Sequence, residues 1–159
     1  LLVGSHGTLG FLADVLLRPR PLPPAQRWFR AAVGADPQEL LGALYRPISV
    51  LWDGLTTWVL LAGHPDDVAR QAQTAGLAEA AGPPALPPYR WSLPPSALPS
   101  LDPNDSFIAE IGVGVVHATQ PPPMRPVDDA IRRLHERIRA EFDPTGRLNP
   151  GLDVVSLTG

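Results

Sequence analysis

A chain of 159 residues with a formal net charge of −3 and no cysteine has room for one compact domain, or for one small domain with pieces of a second. The missing cysteines exclude a disulfide framework, thiolate metal sites, iron–sulfur ligation and any cofactor attached through cysteine sulfur. All thirteen cations are arginine with no basic run, so nucleic acid has no electrostatic footprint, and no apolar stretch reaches the ~18 to 20 residues of a membrane span. The opening Leu1-Leu2-Val3 does not read as a signal peptide, and the expectation is a cytoplasmic polypeptide with no membrane span.

Gly4, Gly7 and Gly10 recur every third residue around Ser5 and Thr8, a spacing that lets the backbone turn sharply and expose its N–H groups. Such a turn suits close approach to a flat cofactor, and equally suits a loop without chemistry. The apolar run Phe11 to Leu17 leads into Arg18-Pro19-Arg20-Pro21, which reads as a strand entering an extended linker rather than a helix facing phosphate. The segment resembles the G-S-x-G-T-L-G pattern, followed by apolar residues, at the end of the FAD-binding domain in FAD-linked oxidases of the vanillyl-alcohol-oxidase type. Gly4, Ser5, Gly7, Thr8, Leu9, Gly10 and Phe11 fit, and the resemblance implies that this backbone lies against FAD. In that family the main phosphate loops lie upstream, which implies a C-terminal portion of a longer flavoprotein.

Beyond the linker, Arg27 to Val33 reads as a strand, and Asp36-Pro37-Gln38-Glu39 supplies an N-cap, a proline at N1 and an N3 carboxylate for a helix bearing Leu40, Leu41 and Leu44. Ile48 to Trp52 and Leu55 to Leu61 flank Asp53-Gly54, a dipeptide suited to a two-residue type I′ hairpin turn. Pro65, Asp66 and Asp67 open a second helix with Val68, Ala69, Ala72 and Ala75 at helical spacing before Gly76, and Tyr89 to Leu93 offers a fourth strand. Strand, helix, hairpin, helix, strand is the order of a ferredoxin-like sandwich, an α+β fold with both helices on one face of an antiparallel sheet. Trp28, Trp52, Trp58 and Trp91 fall in or beside these strands, where burial between sheet and helices competes with an aromatic substrate wall. The proline clusters at 18–24, 82–88, 94–103 and 120–126 read as connections.

Ser106 to Thr119 reads as two short strands or one bent strand, with Gly112 and Gly114 at the bend. Its spacing resembles the H-x-G-D-G-N-x-H motif of the related 2-hydroxy-acid dehydrogenases, whose histidines help bind a metal or the substrate carboxylate. Here Glu110, Val113 and Val115 replace the first histidine, the aspartate and the asparagine, while the glycines and His117 match. One imidazole and one carboxylate do not make a closed site, so no metal is expected. His117 either accepts a proton or orients a carboxylate near flavin, or is a hydrogen-bonded, partly buried histidine.

Pro126, Asp128 and Asp129 open a last helix with Val127, Ile131, Leu134, Ile138 and Phe142 along one face. Arg132, Arg133, Arg137 and Arg139 are expected to pair with Asp128, Asp129 and Glu141. The helix runs into Asp143-Pro144-Thr145-Gly146-Arg147-Leu148-Asn149-Pro150-Gly151, which is similar to the closing F-D-P-x-G-x-x-N-P-G signature of FAD-linked oxidases at every fixed position. That resemblance implies a segment returning to the flavin, with Arg147 as a charge near flavin or an anionic substrate and Asn149 as a hydrogen-bond partner.

The resemblance divides the chain into the end of an FAD-binding domain with its linker at 1–24, a ferredoxin-like cap domain at 25–119, and a C-terminal helix with a returning segment at 120–159. The arrangement looks most like the glycolate-oxidase group of the family, implying oxidation of a 2-hydroxy acid by hydride transfer to FAD, with catalytic His117 and Arg147. It also implies other subunits of an oxidase complex, and association with a membrane-bound electron-transfer complex. The alternatives are a non-catalytic flavin-binding or scaffolding subunit, and a cap fragment without cofactor.

Overall fold

The computed structural model describes residues 4–121 and 128–153. The chain forms two compact units, one from residues 1–20 and 123–159, the other from 21–122.

The larger unit is an α+β structure built on one seven-stranded antiparallel sheet. Its strands are β1 (Ala25–Arg30), β2 (Ser49–Trp52), β3 (Thr57–Gly63), β4 (Ala78–Ala80), β5 (Tyr89–Ser92), β6 (Phe107–Glu110) and β7 (Val115–Ala118), in the spatial order β4-β1-β3-β2-β6-β7-β5. Helix α1 (Pro37–Ala43) is capped by Asp36, whose carboxylate accepts from the Gln38 and Glu39 N–H groups at 2.7 and 3.3 Å. Helix α2 (Pro65–Thr74) is capped by His64 and stops at Gly76, where φ is +63°. Both helices serve one side of the sheet: Leu44, Val68 and Ala72 bury against Phe29, Val50, Val59 and Leu61. The same core continues across the sheet through Phe107, Ala109, Val116 and Ala118 to Leu98 of a 3₁₀ helix at Pro95–Ser100.

Three sequence expectations change in this unit. Tyr89–Ser92 is a strand, but it pairs with β7 at the far edge; the strand completing the β1 edge is Ala78–Ala80, opposite Trp28 to Arg30. Three short residues carry almost no hydrophobic signal, and only the pairing with β1 makes them a strand. The hairpin turn also shifts by one residue. Asp53 N–H donates to Thr56 C=O at 3.2 Å around Gly54-Leu55, and positive φ occurs at Gly54 alone, whereas a type I′ turn needs it at both central residues. The cause is the Asp53 carboxylate, which accepts from the Leu55 and Thr56 N–H groups at 2.9 and 2.7 Å and so holds the aspartate outside the turn centre. The tryptophans divide between the two sides of the sheet: Trp52 and Trp91 pack against the core, with Trp52 edge-on to Phe107 at 5.5 Å, whereas Trp28 and Trp58 occupy the opposite face.

The smaller unit contains helix α3 (Asp129–Phe142), capped by Asp128. Pro126 and Val127 lie outside the described residues. The four arginines do not pair with Asp128, Asp129 or Glu141 among the described residues. Arg132 instead meets Asp153 at 3.3 Å, and Arg139 donates to the Leu148 and Leu152 carbonyls at 3.4 and 3.5 Å. The returning chain competes for the guanidinium groups because it offers both a carboxylate and unbonded carbonyls. Residues 11–17 form no strand: the run is irregular, with Phe11 87 % and Leu16 100 % exposed. A strand needs a neighbour for its N–H and C=O groups, and none of the seven strands pairs with it.

Candidate functional site

The two terminal motifs meet in the smaller unit. Thr8 N–H and Oγ1 both bond the Ser5 carbonyl, at 3.0 and 2.7 Å, closing a tight turn in which Ser5 and Thr8 are buried. Gly4 and Gly7 adopt φ of +86° and +75°, with His6 between them at +50°. No protein atom lies within 4 Å of where a Cβ would stand on either glycine, so backbone conformation and not crowding selects glycine there. Among the described residues, the N–H groups of His6 and Gly7 have no acceptor. The Asn149 side-chain amide donates to the His6 carbonyl at 2.9 Å, across 143 residues of sequence.

Asn149 is held there by the turn that follows α3. Asp143 is buried and accepts from the Leu148 N–H at 2.7 Å, the Arg147 N–H at 3.1 Å and the Thr145 hydroxyl at 3.3 Å. The Leu148 N–H bond above all, with help from Arg147 N–H, Thr145 and the Arg139 charge, holds this carboxyl below the usual aspartate value despite its burial. Gly146 at φ +63° and Asn149 at φ +46° let the chain reverse twice, and asparagine tolerates that region better than most side chains. Of the predicted cofactor-binding residues, Ser5 and Thr8 are hydrogen-bonded to each other, Gly4 and Gly7 flank His6 in the same turn, and Asn149 reaches that turn through the His6 carbonyl. Leu9 and Gly10 continue from it half-buried, while Phe11 is exposed.

His117 belongs to the larger unit and Arg147 to the smaller one. Ser106 to Thr119 forms a hairpin, β6 and β7, and Gly114 at its turn has φ +73°. His117 is half-buried on the face of the sheet opposite the helices, in register with Ile108 on β6 and with Arg90 on β5. Glu110 shares that face, opposite Leu51 and Val115. Trp28, Trp58, Leu51, Leu60 and Ile108 give the same face an apolar character that period-two alternation could have revealed had the strand pairings been known. Arg90 escaped the sequence reading because only the β5–β7 register places it beside His117.

Among the described residues, no three His, Asp or Glu side chains come together as metal ligands. A cleft of about 350 Å³ between the start of α1, the β2–β3 turn and the 3₁₀ helix contains none of the predicted site residues. Among the described residues, no helix is long and apolar enough to cross a membrane. The chain matches no protein-family profile, no curated protein and no solved structure.

Proposed function

We propose that the chain is the C-terminal part of an FAD-dependent oxidoreductase resembling the flavoprotein subunit of glycolate oxidase, in which the glycine turn and the closing turn together hold FAD. The observation that carries this reading is the Asn149 to His6 hydrogen bond, which unites the two segments whose patterns resemble the family's flavin-proximal ones. The turn fits the cofactor chemically: unbonded N–H groups at His6 and Gly7, flanked by glycines without Cβ atoms, suit phosphate or carbonyl oxygens. FAD, when bound, would supply the acceptor for hydride from a 2-hydroxy acid.

In this reading Asn149 orients the glycine turn, Asp143 holds the Arg147–Leu148 backbone in place, and Arg147 offers positive charge near flavin or an anionic substrate. His117 accepts a proton or orients a carboxylate. The order β1-α1-β2-β3-α2-β4, with spatial order β4-β1-β3-β2, supports a ferredoxin-like cap extended beyond β2 by β6, β7 and β5.

The test is a titration of the chain with FAD, followed by visible absorption and flavin fluorescence. A saturable spectral shift is expected, with affinity reduced by about 2- to 10-fold in Asn149→Ala, the loss of one hydrogen bond. No shift in the wild-type chain, or an unchanged affinity in the variant, refutes this site. A second reading, a scaffolding subunit that is not catalytic, is favoured by Glu110, Val113 and Val115 standing where the dehydrogenase motif has polar ligands. It predicts that His117→Ala leaves turnover of the assembled oxidase unchanged.

A further inference from the structure

We propose that the cleft between the start of α1, the β2–β3 turn and the 3₁₀ helix binds a small organic cation, a primary ammonium carried on an aromatic ring. The proposal stands apart from the oxidase reading, because none of the predicted flavin or catalytic residues lines this cleft. It lies wholly within the larger unit and has a volume of about 350 Å³. Small-molecule sites run from roughly 300 to 1,000 Å³, so one ring with a short chain is the size of guest it suits.

The floor is apolar. Leu98 and Ile111 line it at 0 % and 1 % exposure, and half-buried Trp52 lines it with them, braced edge-on by Phe107 at 5.5 Å. An indole held among aliphatic side chains can stack on a ring and attract a cation through its quadrupole. Charge then selects the ligand. Asp36 is the one charged side chain among the residues lining the cleft, and no arginine or histidine joins it. Its Oδ1 takes both capping bonds, from the Gln38 and Glu39 N–H groups. Among the described residues Oδ2 accepts no bond and Asp36 forms no ion pair. Because this carboxylate already meets the N–H groups that begin α1, an anion entering there is repelled. An ammonium gains both Oδ2 and the indole, a combination that a neutral guest cannot use.

The competing role for Asp36 is capping alone, with the cleft a plain surface groove, and it predicts no selective binding. The experiment is an NMR titration of the whole chain with phenethylammonium, with 2-phenylethanol as its neutral counterpart and 3-phenylpropionate as an anion of similar shape. Phenethylammonium should shift the Trp52 indole N–H and the Gly34 and Gly54 amide signals, and leave those of Trp28 and Trp58 in place. The alcohol should bind at least roughly fivefold more weakly, and the anion not at all. Asp36→Asn removes the charge and keeps a good N-cap, so α1 stays folded while affinity for phenethylammonium falls by roughly 3- to 10-fold. Asp67→Asn, in the first turn of α2 and outside the cleft, is the control that should change nothing.

Absence of saturable shifts, equal affinity for the alcohol, or unchanged affinity in Asp36→Asn overturns the proposal, as does binding that moves Trp28 or Trp58 instead. The comparison of cation with alcohol on the wild-type chain decides the matter even if the variant unfolds. No flavin is needed for this readout. Ammonium binding without FAD binding would refute the cofactor reading alone, and FAD binding without ammonium binding would refute this one alone.

Discussion

Replacing Gly114 by alanine should destabilise the larger unit by about 3–6 kcal/mol, whereas the same change at Gly112, two residues away, should not. Gly114 is buried at φ +73°, and its carbonyl accepts from the Leu93 N–H at 2.7 Å. A Cβ built there collides with the Leu93 carbonyl oxygen and comes within 3.2 and 3.3 Å of the Leu93 carbonyl carbon and Pro95 Cδ. The left-handed conformation costs an alanine roughly 1–2 kcal/mol. Displacing the Leu93–Pro95 backbone adds about 1–3 kcal/mol, and weakening its hydrogen bond about 0.5–1.5 kcal/mol. Gly112 is exposed and not at positive φ, and the nearest atom to its virtual Cβ is Leu41 Cδ1 at 4.0 Å. Alanine there should be neutral or stabilising by up to about 1 kcal/mol through the unfolded chain. Urea unfolding followed by tryptophan fluorescence measures both, since Trp91 sits in the strand that Gly114 braces. Equal effects of the two substitutions, or a cost below about 1 kcal/mol at Gly114, would refute the argument that the β5–β7 junction requires a missing side chain.

Thr57 is 1 % exposed and its Oγ1 has no partner among the described residues, so Thr57→Val should stabilise the unit by about 1 kcal/mol in the same unfolding assay. Leu61→Ala, at a site 1 % exposed between sheet and α2, should cost about 2–5 kcal/mol. Asp143 has a folded pKa depressed below the ordinary 3.8, so its contribution is complete above that value and is lost as pH falls through the folded pKa. Asp143→Asn should therefore flatten the stability profile of the smaller unit at acid pH, as read by circular dichroism of α3; an unchanged profile would show that the turn does not depend on the carboxylate.

Much of this molecule was legible because the signals are local. The Asp36 cap with Pro37 and Glu39, the period of Val68 and Ala72, and the stop at Gly76 depend on residues within two turns of one another, and the structure carries all of them. The glycines and asparagine of the end motifs likewise stand where positive φ is needed, at Gly4, Gly7, Gly146 and Asn149. What local chemistry could not decide was pairing. Ala78–Ala80 becomes a strand, and Tyr89–Ser92 goes to the opposite edge, because the free N–H and C=O rows of β1 and β7 are satisfied only by those neighbours. Phe11 to Leu17 has a strand's composition and finds no such row. Register, which depends on every strand at once, placed Arg90 beside His117, and a backward-folding turn brought Asn149 to His6.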